Sequence, residues 1–561
     1  MVDLLILLIF YILFVSSVFG YGFLFTKVFN INTQNTNYGL LGIYGVYLII
    51  FISYLTSIFF AHSFVHNIIF HFIGIFFFIF LVKKKIFYDL KYLHFFLLLF
   101  IFHILIFKNH DDFSYYHFPY TYYLTEFKTQ LGVGIFNHGF RTPSSIFYLN
   151  SIFYLPYIGA YSFNFGAIII FVISNLYFLH KIHLILKKNK NKVILYFSLL
   201  SLGIINIFFY RISEHGTDRS AQILILILIS ELMIFINNEN GANFVKKNFE
   251  SLVGIFCLLF LIISLKAFYI LYVILLIPLI LKIFKNRKFI NIEQFKNIFL
   301  FCIVGFFFIS FIFFSYFSNT GCIIYPLKNL CFENVIWAID AQEVVRMNNW
   351  YQLWSKGGAS PNFRVDDPDK YIQGFNWVNG WFENYFFNKV SDFILGLLLM
   401  IAIFFGIFFD RRKVSKDRKK NYLFSIILII LFLEWFYNHP ALRYGGYVVI
   451  SLLLLIPFSS YLTGFYTDQK KFKKKVIFTI ILIFFISISR NLHRIHHEFK
   501  KYNYNIINTA FYSIEEPHMR ISEKMNYIIN NKKKCDLSLE CIHEEFKIVE
   551  KYNRYIFYKL K

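Results

Sequence analysis

The sequence predicts an all-α integral membrane protein, a polytopic bundle of about 13–14 transmembrane helices whose outer loops carry amphipathic helices. Three observations point there. Of 561 residues, 58% are hydrophobic and only 16% charged, with a mean hydropathy of +0.56, whereas a soluble domain is roughly a quarter charged. Apolar runs recur at the length that crosses a hydrocarbon core, about 20 residues as helix. The basic residues collect in alternate connections, as the positive-inside rule requires of cytoplasmic loops. A cytosolic enzyme, a disulfide-stapled secreted module and a disordered chain are excluded. The abundance of Phe (78) and Tyr (40) matches the codon bias of an AT-rich genome and carries no functional weight.

The runs fall near 3–25, 39–60, 63–82, 92–107, 151–180, 193–210 and 219–237. They continue near 251–265, 267–284, 298–317, 391–410, 421–437, 444–464 and 475–490. Lipid offers backbone groups no partner, so each run must be helical; none alternates like a barrel strand. The first run lacks a basic n-region and a small-residue cleavage site, which makes it an anchor rather than a signal peptide. Residues 251–284 suit a shallow helical hairpin with Lys266 near its tip, which keeps Lys246, Lys247, Lys282 and Lys285 on one side.

With the dense basic blocks inside (Lys83–Lys85, Lys187–Lys192, Arg411–Lys420 and Lys470–Lys475), loops 108–150, 211–218, 318–390 and 438–443 face outward. The chain then divides into N-terminal helices (1–90), a core (91–490) and an outward tail (491–561). This location, multi-pass in the cell (inner) membrane, accounts for much of the net charge of +24 without a nucleic-acid partner. Cys322 and Cys331 in one outer loop, and Cys535 and Cys541 in the tail, form two close pairs where disulfides persist.

Polar groups near membrane depth are the informative ones. Asp111 and Asp112 stand where a run emerges, followed by Tyr116, His117, Asn137, His138, Arg141, Ser144 and Ser145. An isolated acidic doublet is ordinarily a solvated loop start; at an interface, one of its carboxylates can accept a proton or hold a divalent cation, Mg or Mn. No other cofactor is expected. The next outer connection carries Arg211, Glu214, His215, Asp218 and Arg219; Lys266 caps the hairpin, and His439 and Arg443 lie in 438–443. Each cation alone suits snorkelling to headgroups; together with the carboxylates they suit a lipid phosphate leaving group. In loop 318–390 a helix ends at Gly357-Gly358. Trp350, Trp354, Trp377 and Trp381 fit interfacial anchoring better than sugar stacking. Asp366, Asp367 and Asp369 make an acidic turn, because the positions a calcium loop reserves for Gly and Glu hold Tyr371 and Trp377.

A transmembrane run ending in an Asp-containing outer loop, followed by amphipathic helices, resembles GT-C-fold glycosyltransferases. More closely, the stretch DDFSYYHFPYTYYL, followed by GVGIFNHGFRTPSSIFYLNSIF, resembles the first outer loop of a bacterial family of polytopic GT-C-like proteins. That family's pattern falls here on Asp112, Tyr116, His117, Pro119, Gly134, Asn137, Arg141, Ser144 and Ser145. TGCIIYPLKNLCFENVIWAI and CDLSLEC resemble two further segments of it, and the similarity is patchy between motifs. One departure is clear. Where the family shows Pro-Asp-Pro-Arg-Phe, this chain has His439-Pro440-Ala441-Leu442-Arg443-Tyr444, without the acid.

The resemblance implies inverting transfer of a sugar from a polyprenyl-phosphate donor to an envelope glycan or lipid acceptor. Asp112, or Asp111, would be the general base, assisted by His117. Arg211, Arg219, Lys266, His439 and Arg443 would hold the donor phosphate, and Tyr116, Asn137 and Arg141 would form the substrate loop. Two other readings remain. A transporter or flippase of lipid-linked saccharide would show internal repeats and midplane charges, and none is visible. A non-catalytic polysaccharide assembly subunit would keep the acidic loop for binding alone.

Overall fold

The computed structural model describes residues 2–32, 36–81, 97–188, 191–237, 244–285, 292–360, 363–412, 422–465, 468–514, 546–551 and 553–559. Among these, nine helices are long and apolar enough to cross a membrane and four more are apolar but shorter. The chain is thus a polytopic all-α membrane protein. The first three helices, α1 (Val2–Val28), α2 (Tyr38–Phe59) and α3 (Phe64–Leu81), pack together. A Cβ on Gly20 would stand 1.8 Å from the Gly74 carbonyl oxygen. Small residues permit this approach, and in lipid close backbone packing replaces the hydrophobic drive that water supplies.

The centre is built from α4 (Phe165–Lys188), α5 (Lys192–Phe208), α6 (Ile212–Asn237) and α7 (Phe244–Leu265). Helix α6 packs on both α4 and α7 and is buried along most of its length. After α7 the chain forms a helical hairpin. It breaks at Lys266, runs as a 3₁₀ segment over Ala267–Leu276, and continues as α8 (Ile277–Lys285), which packs back on α6. Then come α9 (Ile292–Thr320), α10 (Ala341–Lys356), α11 (Ser391–Phe408), α12 (Tyr422–Asn438), α13 (Gly446–Leu462) and α14 (Gln469–Tyr502). Helix α10 is the expected amphipathic loop helix, capped by Asp340 and stopped at Gly357.

Two expectations need correction. The run 92–107 is not one continuous helix in its described part: helix at 97–98 gives way to a turn at 99–100, and one short helix, Ile101–Ile104, follows. Its irregular backbone is tolerated because it is buried in protein. Arg494 donates to the Phe102 and Leu105 carbonyls, both at 2.8 Å, and Glu498 accepts from the Phe107 N–H at 3.0 Å. For the same reason the tail does not begin at 491. Helix α14 runs 34 residues to Tyr502, about 51 Å, and its last turns buttress that segment.

The end of the chain carries the only two strands among the described residues. Strands β1 (Phe546–Lys551) and β2 (Arg554–Lys559) form an antiparallel hairpin. It docks on the first loop through paired bonds between Leu131 and the backbone of Tyr555 and Phe557. Cys322 and Cys331 are disulfide-bonded; Cys535 and Cys541 lie outside the described residues.

Candidate functional site

Four charged side chains, brought from four separate parts of the sequence, meet at one end of the bundle. Asp112 precedes a π-helical turn, Phe113–His117, which leads into a short helix beginning at Phe118 with Pro119 in its first turn. The i to i+5 spacing of a π-turn sets His117 on the same side as Asp112. Asp218 lies just past a break in α6 at Gly216, whose φ of 30° only glycine adopts easily. The break lets the following helix begin at Asp218, where a carboxylate complements the helix dipole. Lys266 occupies the extended residue between α7 and the 3₁₀ segment, and Arg443 sits in the turn Leu442–Tyr444 before Gly445 (φ 99°).

Arg443 bridges the two carboxylates. Its Nη2 donates to Asp112 Oδ2 at 3.0 Å and its Nε to Asp218 Oδ2 at 2.9 Å. Lys266 Nζ donates to the other Asp218 oxygen at 2.5 Å. Asp218 is only 4% exposed, so it anchors both cations. Gln222, one turn along α6, fixes the Arg443 backbone: it donates to the Arg443 carbonyl at 3.0 Å and accepts from Val448 N–H at 3.2 Å. Trp354 of α10 and Tyr444 flank the guanidinium, with ring centroids at 5.3 and 5.7 Å, and Lys266 lies 4.7 Å from the Tyr444 ring. The amphipathic helix thus roofs the site with an aromatic face.

Burial would raise the Asp112 carboxyl, but Arg443, His117 and His110 together outweigh it and hold it below its ordinary value. The group is a carboxylate, weakly basic while Arg443 is on it. Burial lowers His117 to about 4, so its imidazole is neutral, and its Nε2 has no hydrogen-bond partner among the described residues. It borders a cavity of about 20 Å³, shared with Asn150, Asn164 and Glu214, that has room for one water. Burial raises the Tyr116 hydroxyl, and its phenol is within electrostatic reach of Asp112, Arg443 and Asp218.

The other expected residues divide. Asp111 is exposed. His439 joins the site, its ring 5.8 Å from that of Tyr444. Arg219 lies beside it, 4.0 Å from the Tyr447 ring and 4.9 Å from Phe209, with Nη1 lacking a hydrogen-bond partner among the described residues. Arg211 does not join. It pairs with Glu214 at 2.8 Å, in a separate cluster with Arg494 and Glu498. Arg141 is 1% exposed and bound to Glu343 at 2.8 Å and the Gly134 carbonyl at 2.8 Å. Asn137 accepts from Gly139 N–H and donates to the Tyr115 carbonyl. Both brace the loop. Trp377 and Trp381 are buried, the latter donating to the Pro440 carbonyl at 3.0 Å, and Asp367 caps the short helix Pro368–Ile372.

Among the described residues no three His, Cys, Asp or Glu side chains converge as a metal site. Asp112 and Asp218 share Arg443.

An apolar groove of about 530 Å³ lies between α5, α11, α13 and α14. Leu399, Met400, Ile403, Phe404 and Ile483 line it, Lys389 and Arg490 stand at its rim, and Tyr447, which carries Arg219, forms part of its wall.

Residues 3–450 match a family described as a domain of unknown function (DUF8201), and the chain belongs to that family. No curated protein and no solved structure matches the chain.

Proposed function

We propose that the protein is a membrane glycosyltransferase that moves a sugar from a polyprenyl-phosphate donor to an envelope glycan or lipid acceptor on the outer face of the cell membrane. The observation that carries this reading is the Asp112–Arg443–Asp218–Lys266 chain: a carboxylate in direct contact with a cation that a phosphate would claim. The donor phosphate competes for Arg443 and Lys266, cations suited respectively to bidentate and point-charge recognition. As Arg443 turns to the phosphate, Asp112 loses its counter-ion and recovers basicity, so the base is armed only when donor is bound.

The acceptor hydroxyl then attacks the anomeric carbon and its proton passes to Asp112. The bond from that carbon to the phosphate oxygen breaks, its electron pair leaves on the phosphate, and the two cations stabilise the departing charge. His117, neutral beside Asp112, holds the hydroxyl or the proton. Asp218 positions both cations, and Gln222 positions the Arg443 backbone. The groove beside Tyr447 supplies an apolar channel for the lipid tail. The test is mass spectrometry of surface glycan from a deletion strain carrying wild-type or D112N protein. The reading requires a missing residue in the deletion and in D112N; a full-length glycan in D112N removes Asp112 from the mechanism.

A further inference from the structure

Lys356, in the last turn of α10, is 2% exposed. Its Nζ donates to Gln352 Oε1 at 3.2 Å and to the Ile372 carbonyl at 2.8 Å, and lies 5.7 and 5.4 Å from the ring centroids of Trp377 and Tyr437. All these partners are neutral. Among the described residues no carboxylate pairs with it. Buried ammonium groups are ordinarily paired with an anion, because desolvation of an unpaired one is costly.

Both Lys356 and Lys266 act electrostatically on His439. The His439 ring packs 5.4 Å from Phe268 and 5.8 Å from Tyr444, the ring over which Lys266 stands, and its buried Nδ1 has no hydrogen-bond partner among the described residues. Lys266 and Arg443 pair with Asp112 and Asp218, while Arg219, on the Tyr447 ring, and Lys356, on Gln352, have no carboxylate partner among the described residues. A sugar-phosphate diester brings one negative charge, which leaves the surplus half met. A sugar-diphosphate diester brings two.

We propose that Lys356 and His439, beside Lys266, form a second phosphoryl subsite, so that the lipid donor of this site is a sugar diphosphate rather than a monophosphate. The inference rests on the glycosyl-transfer reading and names its donor class. The acceptor oxygen bonds to the anomeric carbon as that carbon's bond to the phosphate oxygen breaks, the electron pair leaves on the lipid diphosphate, and the acceptor proton goes to Asp112. Arg443 and Lys266 meet the phosphoryl group next to the sugar, and His439 and Lys356 the one next to the lipid.

The experiment uses the full-length protein in nanodiscs, with binding of a long-chain polyprenyl monophosphate and the corresponding diphosphate measured by native mass spectrometry. Wild type is expected to prefer the diphosphate by about tenfold or more, the scale of one added charge-assisted contact. In K356M that ratio falls toward one, K356R restores it, and H439A lowers it independently should K356M fail to fold. Equal affinities in wild type, or a ratio unmoved in both K356M and H439A, overturn the diphosphate assignment alone. Binding of neither lipid overturns the transfer reading with it.

Discussion

Replacing Asp112 with Asn separates chemistry from folding. The substitution keeps the side chain's shape and its capacity to accept from Arg443, and removes only the charge and the proton affinity. The ion pair it weakens is 3.0 Å long with side chains 27% and 28% exposed, so screening limits its worth to about 1 kcal/mol or less. A positioned general base contributes roughly 10²–10⁴ in rate, or roughly 3–5 kcal/mol of barrier. The kinetic loss therefore exceeds the loss of stability several-fold.

Asp218→Asn inverts that balance. Its carboxylate side chain is 6% exposed and bonded to both Lys266 and Arg443, so its loss leaves Lys266 uncompensated and Arg443 with Asp112 alone, at a cost of about 3–5 kcal/mol. Thermal unfolding of the two purified variants, alongside glycan analysis of strains carrying them, reads both quantities. D112N should unfold near the wild-type temperature yet leave the glycan truncated, while D218N unfolds early. A D112N variant destabilised as far as D218N, or one with wild-type transfer, refutes the assignment of separate roles.

Arg443→Lys keeps the charge but cannot bridge Asp112 and Asp218 as the guanidinium does; transfer should fall at least about tenfold with the protein still folded, and wild-type kinetics would show the fork is unnecessary. The pH profile carries a second signature. In the free protein Asp112 is held below its ordinary value, so its ion pair contributes stability above the usual carboxylate range, lost as pH falls through the lowered value. A bound phosphate draws Arg443 away and raises Asp112, so the acid limb of kcat should lie at higher pH than that of kcat/KM; coincident limbs would contradict the arming step. Finally, C322S/C331S removes a short-loop crosslink and should cost about 2–3 kcal/mol by the chain-entropy relation, seen as a matching loss of thermal stability when the wild type is reduced.

Composition and run length were enough to read the helices, because lipid demands long apolar helical segments whatever they pack against. The exception, 92–107, is equally apolar; its backbone is broken because Arg494, nearly four hundred positions later, takes its carbonyls. Of the candidate site, Asp112, His117, Lys266, His439 and Arg443 are recognisable as polar groups at run boundaries. Asp218 was one of four charges in RISEHGTDRS, and only the break at Gly216 distinguishes it from Glu214, which pairs with Arg211. Arg141 resembled a substrate ligand because its partner Glu343 lies two hundred residues away. The alternation in FKIVEK and RYIFYK, joined by a turn at Asn553, was the legible sign of the hairpin after Phe546.

The most direct test of the central claim is an experimental structure of the protein in a lipid nanodisc with a polyprenyl-phosphate lipid bound. The account predicts phosphate density within hydrogen-bond distance of Arg443 and Lys266, the Asp112 carboxylate released from Arg443 beside it, and the tail in the groove lined by Met400 and Tyr447. A phosphate seated elsewhere, with the Asp112–Arg443 contact intact, would contradict it.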